Sequence, residues 1–363
     1  MEEYKLSVAS SPHASSPVGT QNLMRDVLIA LIPAMAMGIY VFGPRALIQT
    51  IVSVIFCEIF EWGYCKLMHK PIPCKDLSAA ITGVLLVFVC PVTLPYWTII
   101  IGDFFAIVIV KQLFGGLGTN FLNPALAGRA FLMLSYPVPM TTWALPVKFG
   151  GKWAPLGMSV GQEYIDSFTG ATPLSIDYMK NADDALALTT GQFSLGDMFL
   201  GTIGGTVGEV SAIALLIGGI YLIVRGVIRP RIPVAYIATV AVLTLIFSRG
   251  AGGNVLEWML REIFAGGLFL GAFFMATDYV TSPNTPKGEI IFGIGAGLLV
   301  VFIRYFGGYP EGVCYSILVM NILVWLIDKA TMPARFGVTK EMRQAEKAAA
   351  KAAKKAAKEG SEA

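Results

Sequence analysis

Ten apolar stretches run through this chain, at 23–42, 45–65, 77–91, 96–113, 124–136, 199–224, 232–248, 258–277, 289–306 and 312–328. A helix that crosses a bilayer needs about 20 apolar residues. Most of the ten qualify. The stretches at 77–91 and 124–136 are short, which leaves them extended at their ends, tilted, or broken helices buried among the others. One soluble core cannot hide so many apolar runs. Of the 363 residues, 55% are hydrophobic and only 14% charged, against about 25% charged in soluble domains. The expected fold class is an all-α integral membrane protein of about ten transmembrane helices. Met1 to Asn22 is polar and lacks the apolar region of a cleavable signal, so the first span is expected to serve as an uncleaved signal. A net charge of +3 gives no sign of nucleic-acid binding.

The organisation follows from the spans. A cytoplasmic N-terminal segment (1–22) precedes a first five-span half (23–136). A long polar loop (137–198) leads to a second five-span half (199–330) and a Lys/Ala-rich tail (331–363). With both termini in the cytoplasm, the inside segments hold Arg25, Lys66, Lys70, Lys75, Lys111, Arg225, Arg229, Arg231, Lys287, Lys329 and Arg335. The short outside loops hold only Arg45, Arg249 and Arg304. That is the bias expected of inside loops, and it puts the long loop on the extracytoplasmic face.

The two halves echo each other. Lys111-Gln112-Leu113-Phe114-Gly115-Gly116 is similar to Arg304-Tyr305-Phe306-Gly307-Gly308, and Pro91-Val92-Thr93-Leu94-Pro95 lines up with Pro283-Asn284-Thr285-Pro286. Pro95 to Phe114 is 19 residues and Pro286 to Phe306 is 20. Five spans separate the copies, so they face opposite ways: two inverted repeats of five. Such repeats place binding sites near the midplane, between the halves.

Charges inside a bilayer are costly and mark pathways by default. Glu58, Glu61, Asp103, Glu209 and Glu262 fall in apolar stretches, and Asp278 closes one. Two polar breaks add candidates: the Gly-rich segment Gly115 to Pro124, with Asn120 and Asn123, and Thr281 to Pro286, with Asn284. Pro124 suits a first helical turn, where its missing N–H costs nothing. Asp103, Glu209, Asp278, Asn120, Asn123 and Asn284 are therefore the candidates for an ion pathway or a second cofactor site, beside the plainer reading of paired charges and ordinary loops. The five cysteines form no C-x-x-C pair and read as small apolar fillers; a cluster shared with partner subunits stays open. No metal site and no catalytic residue is expected, and two histidines in polar segments exclude bis-histidine haem ligation within the bilayer.

The polar loop contains Asp166-Ser167-Phe168-Thr169-Gly170-Ala171-Thr172-Pro173-Leu174. By residue type this is a turn, closed by Pro173. It also resembles the D-x-x-[ST]-G-A-T signature at which a flavin transferase attaches FMN to threonine. By that resemblance Thr172 is the acceptor, joined by a phosphoester to its hydroxyl. Asp166 is read by the modifying enzyme, and Thr169, Gly170, Ala171, Pro173 and Leu174 complete the site. Gly170 and Ala171 let the backbone lie close to a phosphate and ring, and turn N–H groups bind phosphate oxygens.

Together with the span count and the G-x-N-x-x-N-P-A-x-x-G-R-A-F segment, Gly118 to Phe131, the chain resembles the D subunits of Rnf complexes over nearly its whole length apart from the tail. The resemblance implies a membrane subunit of an ion-translocating ferredoxin:NAD⁺ oxidoreductase, inactive alone, that carries electrons through covalent FMN coupled to Na⁺ or H⁺ movement. It implies a bacterial or archaeal inner membrane and riboflavin as a non-covalent second flavin. It also implies other Rnf membrane and peripheral subunits, including a second covalent-FMN subunit, as partners. Two alternatives remain: the B-type subunit of a sodium-pumping NADH:quinone reductase, whose longer N-terminal region this chain lacks, and a solute channel or transporter.

Overall fold

The computed structural model describes residues 19–70, 76–146, 150–170, 172–174, 193–247, 254–307 and 311–333. Ala171, Cys74, most of the N-terminal segment and the Lys/Ala-rich tail lie outside the described residues. The described residues are helical with irregular connections and no strand beyond one isolated bridge, Ala144 to Thr169.

Among the described residues four helices are long and apolar enough to cross a membrane: α1 (Thr20–Phe42), α2 (Pro44–Leu67), Pro286–Phe306 and Val313–Thr331. Gly43, at φ 87°, makes the sharp turn from α1 to α2, and Pro44 starts α2 where it needs no N–H donor. The short stretch at 77–91 forms only α3 (Ser78–Phe88), 11 residues, all buried. At 1.5 Å per residue that is about 16 Å, near half the hydrocarbon thickness. A half-span is tolerable because its ends meet protein rather than lipid.

α4 (Tyr96–Phe104) continues without interruption into wider π-helical turns over Phe105–Gln112. The Leu113 N–H bonds back five residues, to Val108 O at 3.0 Å. α5 (Pro124–Ser135) is capped by Asn123, whose side chain accepts from the N–H groups of Ala125 and Leu126. The long loop carries α6 (Pro137–Met140) and α7 (Gln162–Phe168), and α8 (Leu195–Leu200) ends it.

The expected stretch at 199–224 is not one helix. Gly201 stops α8 in a left-handed conformation, irregular chain follows, and Ser211 caps α9 (Ala212–Val224). This unwound piece completes α3: Val207 and Gly208 donate their N–H groups to Cys90 O and Phe88 O, at 3.1 and 2.9 Å. Those carbonyls would otherwise be orphaned at a buried helix end. Position 208 must be glycine, since a Cβ there would lie 2.3 Å from the Phe88 ring.

α10 (Arg231–Ile246) is a shorter apolar helix. α11 (Val255–Phe264) and α12 (Leu268–Leu270), which runs on as π-helical Gly271–Met275, form a pair bent by 60°, a fifth candidate span. Gly266 and Gly267, both at φ 67°, make the bend. α13 (Pro286–Phe306) and α14 (Val313–Thr331) complete the bundle. α1 packs on α9, and α5 on α14, tying the first half to the second.

Three cations expected in loops are buried instead. Arg45 donates to the carbonyls of Val92, Pro155, Gly157 and Leu94. Lys111 pairs with Glu61 at 2.7 Å, and Arg304 with Glu262 at 2.8 Å. Each is at most 4% exposed. A loop charge and a buried charge look alike in a sequence; only the acids and carbonyls facing them tell the two apart.

Candidate functional site

The loop that carries the T-G-A-T segment is fixed by its backbone. Leu145 N–H donates to Phe168 O at 2.9 Å and Gly170 N–H to Trp143 O at 3.0 Å, so the chain after α7 runs beside residues 143–145. Thr169 Oγ1 closes α7 on Ile165 O. Tyr164 Oη donates to Lys152 O at 2.5 Å. Burial pushes the Tyr164 phenol up, and the Arg45 guanidinium pulls it back down. Asp166 is exposed on α7, where Gln162 Nε2 donates to its Oδ1 at 2.9 Å. Thr172, Pro173 and Leu174 turn inward and are buried; Thr172 is 7% exposed.

Thr172 to Leu174 form one wall of a cleft of about 340 Å³, its open mouth included. Gly204, Gly205 and Glu209 of the unwound segment, Gly266 of the α11–α12 bend, and Glu311 form the rest. Arg129 on α5 joins two of these walls: it lies 3.5 Å from Glu209 and is also paired with Glu311. Arg304 clasps the bend, donating to Glu262 O at 2.6 Å, Glu262 Oε2 at 2.8 Å and Ala265 O at 3.1 Å. The cleft thus sits where both chain breaks meet, over a layer of ion pairs. Arg129 Nε is buried there with no hydrogen-bond partner among the described residues.

A second cavity, about 760 Å³ with its mouth included, lies at the start of α3. Its polar lining includes Ser78, Lys111, Asn120, Asn123, Thr277 and Asp278; Ile81, Leu85, Phe273 and Phe274 supply apolar walls. Lys111 Nζ donates to Ser78 Oγ at 2.8 Å, and Gln112 Nε2 to Glu61 Oε1 at 2.7 Å. Asn120 Nδ2 turns to Leu122 O, and Thr281 Oγ1 donates to Asp278. The mixture of apolar walls with a few polar groups is the usual lining of a small-molecule site.

The six candidates for a pathway or second site therefore separate. Asn120, Asn123 and Asp278 share the larger cavity. Glu209 belongs to the Thr172 cleft. Asn284 is exposed and bonded to Asp328 of α14. Asp103 is wholly buried and lines neither cavity. Arg129, Glu311 and Arg304 were missed as site residues. The signal for Arg129 was present: an arginine within an apolar stretch, in Gly128-Arg129-Ala130. Cys57, Cys65, Cys90 and Cys314 are buried, unbridged and dispersed, and no group suited to a metal ion occurs among the described residues.

Residues 7–337 match the model of the NQR2, RnfD, RnfE family. The D subunit of the Na(+)-translocating ferredoxin:NAD(+) oxidoreductase complex of Acetobacterium woodii is 44% identical, over 95% of this chain and all of that protein. The D subunit of the proton-translocating ferredoxin:NAD(+) oxidoreductase complex of Clostridium ljungdahlii is also 44% identical, over 92% of this chain and 96% of that one. The D subunit of the ion-translocating oxidoreductase complex of Citrobacter koseri is 38% identical over 91% and 98%. The chain belongs to the NQR2, RnfD, RnfE family.

Proposed function

We propose that this chain is the D-type membrane subunit of an ion-translocating ferredoxin:NAD⁺ oxidoreductase, and that it carries FMN on Thr172. The observation that carries the flavin assignment is the place of Thr172: in a surface cleft where both chain breaks converge, just after a stretch held by backbone bonds at Phe168 and Gly170. The residues fit a tethered phosphate. Thr172 offers the hydroxyl for the ester; Gly204 and Gly205 keep the approach free of side chains. Arg129, with Nε unpartnered, offsets the acids beneath. FMN, when bound, supplies the electron-carrying chemistry. The chain's residues hold it at the rim and exclude water below through the buried pairs Arg129–Glu209 and Arg304–Glu262.

The larger cavity is the proposed place of a non-covalent flavin or of a cation's entry, with Asn120, Asn123 and Asp278 as its polar groups. Glu209 and Glu311 line the cleft in which the tethered flavin would sit. A negative charge added in a low-dielectric site attracts a cation, and these acids are where that attraction would act.

Ten spans in two inverted repeats remain the reading of the topology. Lys111 holds the start of half-span α3, and Arg304 holds the chain just before half-span α12, as equivalent positions should. The termini are placed in the cytoplasm of a bacterial or archaeal inner membrane, with the Thr172 loop outside. Burial of Arg45 and Arg304 supports this, since it removes two of the three cations counted against it. Partner subunits, a second covalent-FMN subunit among them, and a flavin transferase belong to the same proposal.

Mass spectrometry of the Thr172 peptide tests the central point, with an added mass of FMN less water expected. An unmodified peptide from cells that possess the transferase would overturn it. Quinone reduction by the purified complex would move the chain to the quinone-reducing branch of the family.

A further inference from the structure

Where α2, α3 and α4 cross, one hydroxyl faces two acceptors. Ser53 Oγ on α2 lies 3.0 Å from Gly83 O of α3 and 2.6 Å from Asp103 Oδ1 of α4. A serine hydroxyl has one proton to give. With Asp103 ionised, one of these two buried contacts would set oxygen lone pairs against each other. Asp103 is 0% exposed, and its Oδ2 has no partner among the described residues. An ionised carboxylate would thus hold charge on an unsolvated oxygen inside the bundle, a far larger cost than an unpaired neutral carbonyl.

A proton on Oδ1 resolves every contact. The carboxyl O–H donates to Ser53 Oγ at a separation normal for O–H···O. Ser53 then donates to Gly83 O, and the Cys57 thiol, 3.3 Å away, donates to Oδ1. No cation among the described residues takes the proton's place. Lys111, further along in the π-helical continuation of α4, is committed to Glu61 and Ser78. α3 carries no titratable side chain, and Arg129 of α5 is paired with Glu209 and Glu311. The crossing leaves no room to relax: a Cβ on Gly83 would sit 3.0 Å from Ser53 Oγ.

We infer that Asp103 is a proton-binding site inside the membrane, held as a neutral carboxylic acid by the Ser53–Gly83 contact and separate from both cavities. Loss of the proton would turn the Ser53 hydroxyl from Gly83 to Asp103 and release α3 from α2. The first residue of α3, Ser78, lines the larger cavity, so the protonation state of Asp103 would be felt there. This inference goes beyond the proposed function and does not depend on the flavin.

Infrared spectroscopy of the assembled complex tests it. The difference spectrum between wild type and Asp103→Asn is expected to contain the C=O band of a protonated carboxylic acid, lost in the variant. In Ser53→Ala the same band is expected to move to higher frequency, because its hydrogen-bond acceptor is gone. The asparagine amide replaces the O–H donor, so assembly and flavin content should persist. If Asp103→Asn does not assemble, the Ser53→Ala shift decides alone. Loss of ionised-carboxylate bands in Asp103→Asn, or no change in any protonated-carboxyl band in Ser53→Ala, overturns the inference.

Discussion

Lys111 and Arg304 open the two similar segments Lys111–Gly116 and Arg304–Gly308, yet they hold their surroundings differently. Lys111 presents a point charge to Glu61 and Ser78 and faces the larger cavity. Its acid is shared, since Gln112 also donates to Glu61. Arg304 spreads a planar fork over Glu262 and three backbone carbonyls, of Glu262, Ala265 and Glu311, with no comparable second donor on Glu262 among the described residues. A guanidinium used in this way fixes geometry, whereas an ammonium tolerates exchange of partners. The arginine end thus braces the bend under Thr172, and the lysine end borders a space that a ligand or ion could enter.

Several variants would sharpen or break that contrast. The largest effect belongs to the Thr172 side. Thr172→Ala should abolish covalent flavin fluorescence of this chain in denaturing gels, together with ferredoxin:NAD⁺ turnover, while any flavin of the larger cavity stays acid-extractable. Next comes Arg304→Met, which strands Glu262 in the interior. Removing one partner of a buried pair costs about 3–5 kcal/mol, and the complex should fail to assemble or melt far earlier in detergent. Lys111→Met should cost less, about 1–3 kcal/mol, because Gln112 still serves Glu61. Adding Glu61→Gln should recover most of that loss, and equal losses at Lys111 and Arg304 would erase the distinction between the two ends. Asp278→Asn should leave covalent flavin and melting intact and alter only the cation dependence of turnover. Smallest of all, Asn284→Ala, at an exposed contact to Asp328, should shift stability by no more than about 0.5 kcal/mol.

The long helices were legible because they keep one apolar run for the whole bilayer thickness: α1, α2, α13 and α14 lie close to where hydropathy placed them. The broken elements were legible only in part. The shortness of 77–91 already admitted a broken, buried helix, which α3 is; the bend at Gly266–Gly267 left little trace, because hydropathy does not separate a bent pair from a straight span. The unwound segment between Gly201 and Ser211 is small and apolar enough to pass for helix, and its real task, closing the end of α3, depends on residues more than a hundred positions away. The cleft was half legible. Asp166 and Thr172 announce themselves by spacing, but Glu311 and Arg129 join only because α5 packs on α14. Arg45 shows the same limit, since its acceptors lie 47 to 112 residues distant.

The wide turns at Phe105–Gln112 hold about one residue more than ordinary helix would need for the same rotation. Removing one residue there would let the segment close into ordinary helix with little net rotation, so Lys111 and Gln112 would still face Glu61. Adding a residue, by contrast, would swing both by about 100° around the axis. A scan of one-codon deletions and insertions across positions 105–110 should therefore find the deletions tolerated and the insertions not.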